Sequence, residues 1–320
     1  MAKYIVRRLF QALLIVILVS MVVFALIRML PGDPVQIVVS QRVMRDAAID
    51  PDLYQRLIEE YGLDKPMPVQ YIRWLSQVIT GNFGRSITKN YVIMDDIQTR
   101  LVVTITLGLT AFLISCSLGM VFGTISAIRR GKFIDTLMTL IANIGITAPS
   151  FLVAIILLYF LGYKLELFPL YGYTLPWKGL WQSVRQSVLP VFVMALGPLA
   201  STTRQTRSSV LEVLNQDYVR TAWSKGLMEK KVIFKHVIKN SLMPVITLQG
   251  AMLQMIFGGS AIVETIFVIP GMGKMMVDGM LSNDYPVIQA CTLVMTLVVV
   301  LVNIVVDLLY GWVDPRIQYE

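Results

Sequence analysis

The sequence predicts an all-α integral membrane protein with six transmembrane helices and an outer, extracytoplasmic helical insert. Of its 320 residues, 56% are hydrophobic and only 15% are charged, whereas soluble domains average about a quarter charged residues. The apolar residues form runs long enough to cross a bilayer core of about 30 Å as helices. The net charge of +8 is concentrated beside these runs, which favours a membrane surface over nucleic acid as its partner.

The first span is predicted over Leu9–Ile27, after a basic N-terminal stretch. A cleaved signal peptide is the alternative, but it would have a shorter apolar region followed by small residues at a cleavage site. The segment RMLPGDP follows instead. We therefore predict an uncleaved helix within residues 1–30, with the N-terminus in the cytoplasm.

Residues 31–100 form a polar insert in which eight basic and nine acidic residues nearly cancel. Asp50 is a predicted helix cap, with a proline at the first helical position and Gly62 just past the end. A second helix is predicted to begin near Pro68 and to stop at Gly81. The insert is too small for an independent core, so we expect it to pack on the membrane helices.

Residues 101–313 form a five-helix core, followed by a cytoplasmic tail over residues 314–320. The predicted spans are Leu101–Ile128, Thr136–Tyr163, Val188–Thr203, Pro244–Ile269 and Val287–Val313. Arg129 and Arg130 follow the second span and place that end in the cytoplasm. Alternation then puts both termini in the cytoplasm and Lys274–Tyr285 outside as a hairpin or short helix.

Pro149 lies near the middle of the third span, beside Thr147 and Ser150. A proline there frees a backbone carbonyl that hydroxyl groups can satisfy, so both a packing kink and a broken helix lining a polar path remain open. Gln249 and Gln254 are the polar residues of the fifth span. We expect these five residues to border a translocation path, with packing roles as the alternative.

The segment from Arg204 to Pro244 carries eight basic and three acidic residues between long apolar runs, which is typical of a cytoplasmic loop. Apolar residues nevertheless recur inside it at helical spacing. Two interpretations remain open: an amphipathic connector folded against its own membrane helices, or a short helix that docks on a partner protein.

Several motifs resemble those of one transporter family. DYVRTAWSKGL (Asp217–Leu227) is similar to the coupling-loop signature of ABC-importer permeases, in the version of the peptide/nickel family. MLPGDPV, YGLDKPMPVQY, GNFGRS, VETIFVIPGMG, NDYPVIQA and DPRIQ match the same family over essentially the whole chain. One position departs from the general signature, because Arg220 stands where many importers have glutamate. Contacts of that glutamate therefore do not transfer to this chain.

The resemblance implies a type I permease fold in the bacterial inner membrane, paired with a second homologous permease subunit. Two ATPase subunits would bind on the cytoplasmic side and carry ATP and magnesium, while an extracytoplasmic solute-binding protein delivers di- or oligopeptides. Nickel, metal-chelate or glutathione-type cargo is the alternative within the family. The residues implied to couple to the ATPase are Asp217, Tyr218, Arg220, Thr221, Ala222, Gly226 and Leu227.

The residues predict neither catalysis nor metal binding on this chain. No GxxxxGK[ST], HExxH or GxSxG motif occurs, and His236 is the sole histidine, so ATP chemistry must lie on other chains. An intramembrane enzyme is thereby disfavoured. An ion-coupled secondary transporter is disfavoured too, because Glu264 and Asp307 lie near the ends of their spans rather than at the midplane.

The extracytoplasmic segments are expected to receive the solute-binding protein. Pro31–Arg100 and Gly271–Pro286 both leave the membrane opposite the basic 204–244 segment. Their charges nearly balance, which suits a transient partner. The alternative is that the insert only plugs or braces the outer mouth.

Overall fold

The computed structural model describes residues 2–29 and 64–313, which are helical apart from turns and a single β-bridge between Arg85 and Val92. The helices are α1 (Ala2–Met29), α2 (Met67–Ile79), α3 (Ile93–Ile128), α4 (Phe133–Thr147), α5 (Ser150–Leu157), α6 (Leu180–Leu214), α7 (Asp217–Ser224), α8 (Glu229–Val232), α9 (Lys239–Ile266), α10 (Met272–Leu281) and α11 (Tyr285–Val313). Leu158–Lys164 and Ile233–Ile238 are π-helical and continue α5 and α8. Within the described residues, five helical stretches are long and apolar enough to span a membrane, or six if α4 and α5 form one broken span.

The chain divides into two compact units. The first comprises residues 1–101 and 272–300, and in it α2 packs on α1 through aromatic rings. The ring centroid of Phe24 lies 5.6 Å from that of Tyr71 and 5.7 Å from that of Trp74. Tyr71 also shares a 2.8 Å hydrogen bond with Ser20. A separate core of this unit joins the start of α3, α10 and α11, and includes Ile93, Ile97, Met272, Met275, Val287, Ala290, Cys291 and Val294.

The second unit comprises residues 102–271 and 301–320. Its central helix α6 packs closely against α3 because glycines on α3 leave no side chain between the two backbones. A Cβ added at Gly123 would lie 2.5 Å from the carbonyl oxygen of Thr203, and one at Gly119 would lie 2.7 Å from the Cβ of Thr202. Glycines four residues apart are a common device for close helix approach in membranes.

The insert and core boundaries differ in two places from those expected. Helix α3 begins at Ile93 rather than at Leu101, since Asp95 and Asp96 occupy its first turn, where acids favour the helix dipole. Helix α6 does not end near Thr203 but continues to Leu214. Charged residues end an apolar run without ending a helix. Hydropathy therefore predicts where α6 would leave the membrane, but not where the helix itself ends.

Helix α2 confirms the predicted second helix of the insert, and Gly81, with φ +82°, follows its end. The short outer helix predicted within Lys274–Tyr285 corresponds to α10. The predicted helix after Asp50 and the MLPGDPV and DPRIQ motifs lie wholly or largely outside the described residues.

Candidate functional site

Helix α7 lies within the 204–244 segment and is fixed to its own chain along one face. Val219 is fully buried, and Ala222 is 6% exposed. Both belong to a small core with residues from the end of α3, from α6, and from the α8 region: Ala127, Val210, Val232 and Val237. Burial of this face fixes the orientation of α7 without any side-chain cap at its first residue.

Outside this buried strip, α7 presents charged and aromatic side chains to the surroundings, with Tyr218 and Trp223 on either side of the strip. Tyr218 is 44% exposed and Trp223 is 41% exposed. Arg220 lies 3.9 Å from Asp217, but both side chains are largely exposed, so this ion pair adds little stability. Aromatic side chains on an exposed face are characteristic of protein interfaces. The structure confirms that the helix packs on its own chain, and its exposed side chains leave docking on a partner protein as a prediction.

The turn after α7 requires the left-handed conformation of Gly226. Its φ is +74°. The Gly226 amide donates to the carbonyl of Trp223 (2.9 Å), and the Leu227 amide donates to that of Ala222 (3.4 Å). This pair of bonds is the Schellman motif that ends helices at a glycine. A Cβ at Gly226 would meet no atom within 4 Å, so the constraint is conformational rather than steric.

An ion pair with a buried carboxylate holds the start of the 204–244 segment. It was not predicted from the sequence. Arg207 on α6 donates from Nε and Nη2 to the two carboxylate oxygens of Asp135, at 2.7 and 2.9 Å. Ser126 (2.5 Å) and the Gly131 amide (3.0 Å) donate to the same carboxylate. Asp135 is 5% exposed, and four donors satisfy it. The bidentate geometry holds the α3–α4 turn to α6.

Pro149 stands at a break of 104° between α4 and α5, which is far more than a packing kink. A cavity of about 170 Å³ adjoins this break and is lined by residues that include Gly145, Ser150, Met194 and Gly259. The structure therefore has a broken helix here rather than a kink, and its role in lining a polar path stays a prediction. Ser150 lines the cavity, whereas Thr147 and Pro149 do not. The Thr147 hydroxyl donates to the carbonyl of Asn143 at 2.9 Å.

The two glutamines of the fifth span make hydrogen bonds between helices. Gln249 is 8% exposed and donates to the Thr202 hydroxyl at 3.2 Å. Gln254 donates to the amide oxygen of Asn303. Neither glutamine lines the cavity at the break, whereas Ser150 does. These contacts favour the packing role for both glutamines.

Glu264 is fully buried near the end of α9, within the second unit. The Thr104 hydroxyl donates to its carboxylate at 2.7 Å. Its carboxyl group also occupies the space beside Gly271, where an added Cβ would lie 2.4 Å away. The carboxylate is thus held by a hydrogen bond between α3 and α9.

Asp284 ties the end of the insert to the start of α11, within the first unit. It is 2% exposed and accepts hydrogen bonds from the hydroxyls of Ser86 (2.5 Å) and Thr88 (2.8 Å), and from the amides of Ile87 and Thr88 (3.2 Å each). Burial, with Asp96 and Asp284 nearby, raises the pKa of Tyr91 to about 12, so this phenol stays neutral. From the sequence, an acid directly before a helix suggests only a helix cap. No local pattern reveals that the partners of Asp284 lie 196 to 198 residues away.

Two family models together match most of the chain. Residues 119–319 match a model described as "Binding-protein-dependent transport system inner membrane component". Residues 1–108 match one described as "Binding-prot-dependent transport system membrane comp, N-term". The chain is 39% identical to the oligopeptide transport system permease protein AppB of Bacillus subtilis (strain 168), covering 100% of both chains. It is 38% identical to the dipeptide transport system permease protein DppB of the same strain, over 99% of this chain and 98% of that protein.

Solved structures of ABC transporters share the fold. The MetNI methionine ABC transporter, in inward-facing conformations, matches with a TM-score of 0.53 at 16% identity, over 68% of this chain and 97% of that chain. An amino acid ABC transporter crystallised with histidines matches with a TM-score of 0.51 at 14% identity, over 70% of this chain and 94% of that chain. This likeness confirms the type I ABC-importer permease fold. The chain therefore belongs to the family of inner membrane components of binding-protein-dependent transport systems, as a multi-pass permease subunit of an ABC importer.

Proposed function

We propose that this permease subunit imports di- or oligopeptides and that α7 is the helix that couples it to an ATPase subunit. The observation that carries the coupling proposal is that α7 combines a buried strip with exposed side chains on its other sides. Val219 and Ala222 are buried in the chain's own core, while Tyr218 and Trp223 stay exposed. An ATPase groove would cover Tyr218 and Trp223. Movement of the ATPase would then be transmitted to α6, because the buried residues of α7 prevent it from rotating away from α6.

The coupling site extends over Asp217, Tyr218, Arg220, Thr221, Ala222, Gly226 and Leu227. Arg220 takes the position that glutamate holds in many importers, so the ATPase surface opposite it should offer acceptors rather than donors. Met228 and Phe234 are also largely exposed and would extend the apolar contact. ATP and magnesium would bind to the ATPase subunits.

The proposed assembly contains a second homologous permease subunit, two ATPase subunits and an extracytoplasmic solute-binding protein. Both termini of this chain would lie in the cytoplasm, as the basic residues around the spans indicate. Pro31–Arg100 and Gly271–Pro286 would form the surface that receives the solute-binding protein. The Asp284 network supports this surface, since it binds residues 86–88 of the first segment to the second.

The peptide cargo is inferred from the names of the relatives, several of which are peptide permeases. Affinity purification of this chain from its native membrane should recover the second permease, both ATPases and the solute-binding protein. Native mass spectrometry of that binding protein should then show bound peptides. Nickel or a metal chelate as the bound molecule would contradict the cargo proposal, and recovery of the chain without ATPases would contradict the importer assembly.

We also propose that Thr147, Pro149 and Ser150 border the translocation path. The break and its adjoining cavity support this role, because an irregular backbone at membrane depth is tolerated where it lines a cavity or packs inside protein. Gln249 and Gln254 would hold neighbouring helices together beside that path.

A further inference from the structure

A second cavity, of about 410 Å³, lies in the first unit between α2, the loop after it and the start of α11. Its walls include Arg73, Trp74 and Gln77 of α2 and Arg85 of the loop, while Gln289 comes from α11. Arg73, Gln77 and Arg85 are exposed at its rim, and Trp74 is half-buried. All of these residues except Gln289 belong to the two segments proposed to face the solute-binding protein.

The part of the cavity lining that the structure describes is positively charged. Two arginines line it, and none of the described lining residues is Asp or Glu. Arg85 is oriented by Asn90, because its Nε donates to the Asn90 side chain at 3.1 Å and its Nη2 to the Asn90 carbonyl at 2.9 Å. These bonds fix the guanidinium plane and leave Nη1 for another acceptor. A guanidinium in a fixed plane favours a carboxylate over a spherical ion.

Gln289 adds an amide group to the cavity lining. The residue is only 7% exposed, and among the described residues its amide makes no side-chain hydrogen bond. A glutamine amide offers two N–H donors and a carbonyl acceptor. Gln289 can therefore donate a hydrogen bond to a carboxylate that enters the cavity.

A neighbouring cavity of about 180 Å³ in the same unit provides a contrast. Its basic residue Arg100 is already paired with Asp96 at 3.0 Å, and Asp278 in its lining is paired with Lys274 at 2.8 Å. That cavity has its own counter-charges and needs none from outside. The Arg73–Arg85 cavity differs from it in this respect.

We propose that the Arg73–Arg85 cavity accepts a carboxylate side chain, Asp or Glu, from the docked solute-binding protein. The inference rests on the proposed function and names the contact that would set the register of docking. Arg73 and Gln77 lie on an exposed helix face of the proposed docking surface, where a side chain of a partner protein can contact them. A cationic trap on the cargo route would retain acidic peptides, which argues against cargo as the occupant. One charged contact in a nearly neutral surface gives register without slowing release.

The test uses the complete importer in lipid nanodiscs with its peptide-loaded solute-binding protein. The measured quantity is the binding-protein concentration that gives half-maximal stimulation of ATP hydrolysis. Arg73→Glu and Arg85→Glu should each raise it by about tenfold or more, because each replaces a charge-assisted hydrogen bond by repulsion. Lys65→Glu makes the same change of charge at an exposed residue of this unit outside the cavity, and should change it by less than about twofold.

A suppressor experiment identifies the carboxylate. Replacing the docking Asp or Glu of the binding protein by Arg should return the half-maximal concentration towards its unmodified value with Arg85→Glu. The same replacement should raise that concentration with Lys65→Glu, which keeps both cavity arginines. Arg73→Glu controls for distortion of the loop, because Arg73 lies on α2 and its replacement leaves the Arg85–Asn90 hydrogen bonds in place.

Three outcomes would overturn the proposal. In the first, the arginine variants behave like Lys65→Glu. In the second, they alter ATP hydrolysis to the same extent with and without the binding protein, which would place the partner of the arginines inside the importer. In the third, the half-maximal concentration of the binding protein is unchanged, but the variants discriminate differently between peptides with a free C-terminal carboxylate and amidated peptides. That result would make the cargo the occupant. If the unmodified importer itself ignores the binding protein, the proposed function fails rather than the cavity.

Discussion

At the scale of single residues, glycine has two different physical reasons to occupy its positions in this chain. Gly226 adopts φ +74° in open space, so its backbone conformation matters. Gly123 has an ordinary helical backbone but no room for a Cβ beside Thr203. Gly258 has neither constraint, because nothing lies within 4 Å of an added Cβ. Only the structure separates these cases.

The conformational reason at Gly226 predicts an ordering of substitutions. Gly226→Val should lower binding-protein-stimulated ATP hydrolysis by roughly tenfold, because a β-branched residue in the left-handed region costs about 1–2 kcal/mol and unwinds the Schellman turn. Gly226→Asn should keep most of the stimulation, since Asn tolerates this region. Membrane insertion should be normal in both. Equal loss in the two variants would instead indicate a steric requirement on the ATPase side.

Two buried acids show what sequence reasoning missed at this scale. Asp135 and Asp284 each accept four hydrogen bonds, and several donors come from distant parts of the chain. Local patterns predict caps and turns because their partners lie within a few residues. The partners of these acids are set by the packing of separate helices, which one sequence does not reveal.

At the scale of elements, the sequence predicted the number and order of spans better than their ends. Helix α2 and the stop at Gly81 follow from local propensity and turn chemistry. The continuation of α6 to Leu214 could not be predicted, because the change from apolar to charged residues marks the membrane surface rather than a helix break. At Pro149 the sequence left a kink and a break open, and neighbouring helices decide between them.

The packing of α3 on α6 predicts a contrast between two chemically identical substitutions. Gly123→Ala should destabilise the solubilised chain by about 1–3 kcal/mol, since the new Cβ would lie 2.5 Å from a backbone oxygen. Gly258→Ala should be neutral or slightly stabilising, because it replaces a poor helix former in open space. Thermal unfolding in detergent measures both. Similar midpoints for the two variants would show that α3 and α6 are not so closely packed.

The break between α4 and α5 predicts a pattern of thiol accessibility. In a cysteine-less background of the complete importer, Thr147→Cys and Ser150→Cys should react with a polar thiol reagent in at least one nucleotide state. Gln249→Cys should react at least about tenfold more slowly, because Gln249 is 8% exposed and packed on Thr202. Complete protection of positions 147 and 150 in every nucleotide state would remove the break from the path.

At the scale of the whole molecule, length, hydropathy and charge predicted an integral membrane protein, and the motifs predicted its family. Both predictions are confirmed by the apolar helices and by the family matches over residues 1–108 and 119–319. Cargo and partner contacts follow less directly, because the chain presents surfaces whose complements lie on other proteins. The exposed face of α7 and the Arg73–Arg85 cavity are two such surfaces.

The central claim is that the exposed aromatic side chains of α7, Tyr218 and Trp223, couple ATP hydrolysis by the ATPase to this permease. The most direct measurement is binding-protein-stimulated ATP hydrolysis by importers carrying Tyr218→Ser and Trp223→Ser, compared with Trp177→Ser, an exposed tryptophan outside the 204–244 segment. The α7 variants should lose roughly tenfold or more of the stimulation, as expected for buried aromatic anchors at an interface. Trp177→Ser should retain it. Full stimulation with both Tyr218 and Trp223 replaced would contradict the account.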